Sequence, residues 1–225
     1  MLPACAFSLF HFRYNPPLFR LYSLHFPVSD SLRILGIDPG LNHTGYGVID
    51  AAASSFELVA AGCIHVPRGD LCQRLAFIHE ELSRIIKQTH PSCAAAEIIF
   101  LNINPKTTLL LGQARGAAIA CAAVHGLHVH EFTPSEIKQS VVGTGAALKS
   151  QIQHMVMRLL GLQEIPQSDA ADALACAITC ANSMKLKALH ESAMPASRTG
   201  VRSLSSRAHR RGAWEQFAKQ RKQQS

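Results

Sequence analysis

Four acidic residues stand where carboxylates are costly. Asp38 ends the apolar run Leu32-Arg33-Ile34-Leu35-Gly36-Ile37-Asp38, and Glu97 falls within Cys93-Ala94-Ala95-Ala96-Glu97-Ile98-Ile99-Phe100. Asp169 and Asp172 open the alanine-rich run Asp169-Ala170-Ala171-Asp172-Ala173-Leu174-Ala175. A buried, uncompensated carboxylate costs several kcal/mol or stays protonated. Four gathered together make a poor core but a natural seat for Mg²⁺, which takes oxygen ligands. The chemistry this points to is metal-dependent work on phosphate.

Each acid alone also has an ordinary explanation. Asp169 and Asp172, three apart on one face of a predicted helix, fall in its first turn, where the helix dipole favours negative charge. Asp38 within Gly-Ile-Asp-Pro-Gly suits a structural turn, or the phosphate loop of an actin-like kinase. The conjunction changes the balance. Two carboxylates from strand ends and two from one helix face can enclose two divalent ions about 4 Å apart, the spacing that activates water and stabilises a leaving oxygen in phosphodiester cleavage.

Positioning such a set requires a sheet and a helix. Residues 32–38 read as a buried strand, and Pro39-Gly40 turns the chain into a second strand over 44–49. A third follows over 56–66. Asp70 is a good N-cap for a helix whose apolar residues Leu71, Leu75, Ile78, Leu82, Ile85 and Ile86 recur at helical spacing until His90-Pro91. A strand bearing Glu97 comes next. Residues 107–127 are rich in Leu and Ala around most of the circumference, which suits a helix buried on two sides. A short strand over 127–132, a short helix from Pro134, a break at Gly143-Thr144-Gly145 and a helix over 146–160 follow. Ser168 can cap a last helix ending near Ser183. Three successive strands and then alternating helices and strands predict an α/β fold, a mixed five-stranded sheet flanked by helices.

The 225 residues, 48% of them hydrophobic, suffice for one packed domain with tails. Net charge is +7, yet residues 32–182 hold ten Lys/Arg against twelve acids, whereas residues 183–225 hold ten against two. Any nucleic-acid contact by the body therefore needs a local basic patch. Seven Cys at 5, 63, 72, 93, 121, 176 and 180, with no CxxC pair, read as reduced thiols of a cytosolic protein. No apolar run is read as reaching the roughly eighteen residues that span a bilayer, and no membrane association is expected. Residues 1–31 read as an N-terminal extension, disordered or arising from a misassigned start, rather than a working signal. Residues 32–183 form the domain, and 184–225 a basic disordered tail.

Ile34-Leu35-Gly36-Ile37-Asp38-Pro39-Gly40 with Thr44-Gly45-Tyr46-Gly47-Val48-Ile49 resembles the opening of the RuvC family of bacterial Holliday-junction resolvases. So do Leu111-Gly112-Gln113-Ala114-Arg115-Gly116, Lys138-Gln139-Ser140-Val141-Val142-Gly143, Lys149-Ser150-Gln151-Ile152-Gln153-His154-Met155-Val156 and Ser168-Asp169-Ala170-Ala171-Asp172-Ala173-Leu174-Ala175. They occur in the family's order and spacing over 32–183. The resemblance implies an RNase H-like fold, a homodimer cutting opposed strands of a four-way DNA junction, and Mg²⁺-dependent hydrolysis leaving 5′-phosphate and 3′-hydroxyl. Two Mg²⁺ per subunit are expected, with Mn²⁺ as a substitute, and RuvA and RuvB as partners in recombination and repair. Asp38, Glu97, Asp169 and Asp172 would be the metal-binding carboxylates. Phe100 matches the family's aromatic at the junction, and Lys138 and Lys149 its basic residues near the scissile strand.

Leu101-Asn102-Ile103-Asn104-Pro105 is a freer version of the family segment, and the basic tail is longer than the family needs. His125, His128 and His130 lack the further Cys or His partners of a closed zinc site, so they read as structural. An actin-like kinase would need a second lobe that about 150 body residues cannot supply. A non-catalytic junction binder would have no need of all four carboxylates.

Overall fold

The computed structural model describes residues 31–98 and 105–193. The predicted extension up to residue 30, the tail beyond 193 and Phe100 lie outside the described residues. Strands β1 (Leu32–Asp38), β2 (His43–Ala51) and β3 (Phe56–His65) form an antiparallel meander, followed by helix α1 (Leu71–Thr89). Next come β4 (Cys93–Glu97), α2 (Pro105–Val124), β5 (His128–Phe132), α3 (Pro134–Val142), α4 (Lys149–Leu159) and α5 (Ser168–Ala193). The sheet order is β3-β2-β1-β4-β5, with β4 parallel to both β1 and β5. This is the mixed five-stranded sheet expected from the sequence.

Side-chain alternation along the strands divides the core into two layers. Ile34, Ile49, Cys93 and Ala95 pack with Leu174, Ile178, Val141 and Val156 beneath α3, α4 and α5. Leu35, Ile37, Val48 and Ala94 pack on the other face with Ile78, Leu82, Ala114 and Ala118 of α1 and α2. The same alternation assigns Asp38, two residues after Gly36, and Glu97, two after Ala95, to the α5 face.

Helix α5 lies directly on β1 and β2 because the strands carry glycine beneath it. A Cβ at Gly36 would sit 1.9 Å from the Ala173 carbonyl oxygen, and one at Gly45 would sit 2.0 Å from that of Asp169. The helix side of this contact is equally small: Ala170, Ala171, Ala173 and Ala177 are buried. Close approach of these two backbones is what carries the start of α5 to the end of β1.

The helix ends follow ordinary capping chemistry. Asp70 caps α1, its carboxylate accepting from the Gln73 amide at 2.9 Å, and Thr133 caps α3 in a reciprocal pair with Glu136. Several boundaries differ from expectation. Helix α4 starts at Lys149 rather than Ala146, because the turn after Gly143-Thr144-Gly145 runs on to Leu148, whose amide is bound by the Gln151 side chain at 2.8 Å. Ser168 is the first helical residue of α5 and not its cap, since the Gln167 carbonyl already accepts from Ala171. Asp172 therefore stands in the second turn. The helix also runs to Ala193, ten residues past the predicted end, so 184–193 are helical and not the start of a disordered tail.

Helix α2 is covered on one side only within the chain, not two. Its buried residues Ala114, Ala118, Cys121 and Ala122 form one stripe, while Leu109 is 65% exposed. By length and average composition it would pass as a membrane span, although Lys106, Gln113 and Arg115 interrupt its apolar run.

Candidate active site

The parallel register Ile37↔Ala96 leaves Asp38 and Glu97 on the next rung, side by side at the strand ends. Asp169 and Asp172 come down on them from α5. The four predicted carboxylates thus lie near enough to act on one another's charge, from elements up to 134 positions apart in sequence.

Their electrostatics record the convergence. Burial, then the charges of Asp172, Glu97 and Asp169, push the Asp38 carboxyl up from 3.8 to about 7, with Lys149 opposing. Glu97 is raised by burial and by Asp172, against Lys138 and Lys149. Asp172 is also raised, burial outweighing its ion pair with Lys149 at 2.5 Å. Burial acts to lower Lys149, yet the hydrogen bond to Asp172 and the charges of Asp172, Asp38 and Asp169 raise it overall. Asp172 is thus raised chiefly by burial, with the charge of Asp169 adding to it, whereas Lys149 is raised by the carboxylates around it.

Such a set fits a divalent cation. One ammonium at Asp172 leaves the other three carboxylates short of positive charge, and all the donors are oxygens, the ligand type that Mg²⁺ prefers. Lys138, half-buried on α3, and Lys149, exposed at the start of α4, are the two cations near the set, as the sequence motifs imply.

Three supporting residues were not singled out from the sequence. Thr44, fully buried, donates its hydroxyl to the Gly40 carbonyl at 2.7 Å and folds back the loop that follows Asp38. Arg115 donates Nε to the Glu97 carbonyl at 3.0 Å and pairs with Glu131, fixing the end of β4. The Cys63 thiol donates to Asp169 Oδ2 at 3.3 Å. A charged residue in the middle of an apolar helix was the available signal for Arg115, whereas a strand cysteine gives none.

The histidine reading divides. His125 is structural, bonded to Ser83 and to the Cys121 carbonyl. His130, by contrast, has Cys93 and Cys180 close by, with ligand atoms within 4.8 Å of one another. Those cysteines come from β4 and α5, distant in sequence, so the expectation that His130 lacks Cys partners does not hold.

A mixed 3-2-1-4-5 sheet with carboxylates gathered at the ends of β1 and β4 and on a crossing helix defines an RNase H-like nuclease. The family model described as Crossover junction endodeoxyribonuclease RuvC matches residues 34–180. The chain belongs to this family and is a metal-dependent endodeoxyribonuclease. It is 56% identical over 152 residues to the Crossover junction endodeoxyribonuclease RuvC of Nitrosomonas eutropha, covering 68% of this chain and 85% of that protein. The Bordetella avium protein of the same name is 53% identical over 157 residues, covering 69% and 87%. Among solved structures, T. thermophilus RuvC in complex with Holliday junction substrate superposes with a TM-score of 0.66 at 31% identity, covering 69% of this chain and 96% of that one.

Proposed function

We propose that this nuclease resolves four-way DNA junctions in recombination and repair, as a cytoplasmic homodimer making paired symmetric nicks that leave 5′-phosphate and 3′-hydroxyl ends. The observation that carries the reading is the meeting of Asp38, Glu97, Asp169 and Asp172, with Asp38 held at about 7 by burial and its neighbours' charge. The junction as substrate is supported by the complex solved for the T. thermophilus relative. RuvA and RuvB are the partners that would present it.

The four carboxylates would hold Mg²⁺, two ions per subunit, with Mn²⁺ able to substitute. Bound ions supply an activated water and neutralise the departing 3′ oxygen. The chain's own contribution is geometry and charge. Asp38 must lose its proton to act as a ligand, and burial together with the other three carboxylates makes that loss unfavourable until a cation is present. Lys149, whose charge reaches Asp172, Asp38 and Asp169, is placed to hold a phosphate lying over the same carboxylates, and Lys138 does so from the Glu97 side. Phe100 is assigned to stacking on a base opened at the junction, worth roughly 1–3 kcal/mol.

The test is a labelled four-way junction incubated with the full chain, with and without Mg²⁺, beside the Asp38→Asn variant. Both proteins should bind, and only the wild type with Mg²⁺ should cut. The variant's rate should fall by more than the roughly 10–100-fold that loss of an outer-shell partner costs a metal site. Normal cutting by Asp38→Asn would refute the assignment.

A further inference from the structure

A second cluster of ligand-type side chains borders the first. The β2–β3 ladder pairs His43 with His65, and two residues along it pairs Gly45 with Cys63. Strand alternation puts His43, Cys63 and His65 on the face that meets the start of α5. At Gly45 the place of a side chain is taken by the backbone of Asp169 at the start of α5, which brings that residue beside the three. The two imidazoles turn Nδ1 toward Nδ1 at 3.0 Å, their rings nearly perpendicular with centroids 5.0 Å apart. The ligand atoms of all three residues lie within 4.8 Å of one another. Cys63 Sγ also reaches Asp169 Oδ2 at 3.3 Å.

We propose that His43, Cys63 and His65 form a zinc site beside the carboxylate pocket, and that its occupation blocks cleavage by recruiting Asp169, which already touches Cys63, as the fourth ligand and so drawing it out of that pocket. The inhibitory half rests on the reading of Asp169 as a catalytic ligand; the binding half does not.

Two nitrogens, a sulfur and a carboxylate oxygen are the ligand types zinc takes in tetrahedral sites. Bond lengths of about 2.0–2.1 Å to nitrogen and about 2.3 Å to sulfur put neighbouring ligand atoms roughly 3.3–3.6 Å apart. The 3.0 Å between imidazole nitrogens and the 3.3 Å between thiol and carboxylate are already within a few tenths of an ångström of that. Mg²⁺, a hard ion that favours oxygen, has no comparable claim on this set. Access is open, since both histidines are exposed and Cys63 is half-buried. Ligation replaces the Cys63 S–H bond with a sulfur–zinc bond and releases that proton to solvent. Without an ion, the same contacts amount to one N–H···N bond between imidazoles and one thiol–carboxylate bond, which predict no metal uptake.

Cobalt titration of the full chain separates the two readings. One tetrahedral Co²⁺ per chain should give intense visible bands and a near-ultraviolet thiolate band, displaced by Zn²⁺. Cys63→Ser should abolish the thiolate band and Cys93→Ser should leave it. His65→Gln should weaken Zn²⁺ binding by more than about tenfold. Absence of the bands, or a thiolate band that survives Cys63→Ser or disappears in Cys93→Ser, would overturn the site. For the inhibitory half, Zn²⁺ added to junction cleavage in excess Mg²⁺ should stop the wild type and spare His65→Gln. Equal inhibition of both would place zinc in the carboxylate pocket and overturn control through Asp169.

Discussion

At the scale of single residues, Asp38 decides how the site responds to pH. Its folded pKa of about 7 lies above the ordinary 3.8, so between about pH 4 and 7 the folded state binds more protons than the unfolded one. Its stabilising contribution is therefore fully present below about pH 4 and is lost as pH rises through 7. The loss is on the order of a few kcal/mol. In EDTA, wild-type Tm should fall from pH 5 to pH 8, and Asp38→Asn should flatten most of that slope; the raised Glu97 and Asp172 would keep the rest. Junction cleavage should run the opposite way, rising through about pH 7 at limiting Mg²⁺ with a midpoint that moves down as Mg²⁺ is added. Arg115 belongs to the same scale as a positioning residue. Arg115→Met frees the Glu97 carbonyl, so kcat at limiting Mg²⁺ should drop by roughly 10–100-fold while junction affinity stays the same; affinity falling with kcat would mean that Arg115 touches DNA. The four acids could be picked out in the sequence as a set because, although each alone has an ordinary explanation, four carboxylates bordering apolar runs together do not. Cys63 and Arg115 could not, because a strand cysteine and a helix arginine have many such explanations, and their partners lie 106 and 16 to 18 positions away.

At the scale of elements, what matters is how close α5 comes to the sheet. Neither Gly36 nor Gly45 has a positive φ; each is needed because helix backbone occupies the place of a side chain. Gly45→Ala should force Asp169 and its carbonyl away from β2, costing about 1–3 kcal/mol or more in urea denaturation and a larger share of cleavage than of stability. Gly112→Ala is the control. It lies inside α2 with nothing within 4 Å of a new Cβ, and should stabilise the chain by about 0.5–1 kcal/mol. Strand limits were easily read, β1 to the residue, because alternation and turn glycines mark them from within. The end of α5 was hidden. Residues 184–193 are polar enough to suggest disorder, yet they are good helix formers extending a helix already anchored by its alanines, and the Lys185 ammonium sits 4.3 Å from the centre of the Phe56 ring. That contact joins residues 129 apart, which local composition cannot report.

At the scale of the whole molecule, α2 is the unfinished part. A helix apolar around its circumference is stable where both sides are covered, and α1 covers only the stripe through Ala114, Ala118, Cys121 and Ala122. A second copy related by a two-fold axis would bring the same patch against itself, doubling the effect of every interface residue. Cutting two opposed strands of a junction also requires two sites, and one chain carries a single carboxylate set among its described residues. A charge at Leu109, 65% exposed in the single chain, costs a monomer little and would be buried twice in the dimer. Light scattering should therefore give twice 24.4 kDa for the wild type and a single chain's mass for Leu109→Glu, with unchanged urea stability of the dilute monomer. On a junction labelled in opposed strands, the variant should produce single nicks and lose the paired ones. A Leu109→Glu protein that keeps both its dimeric mass and its paired cuts would place the interface elsewhere on the molecule.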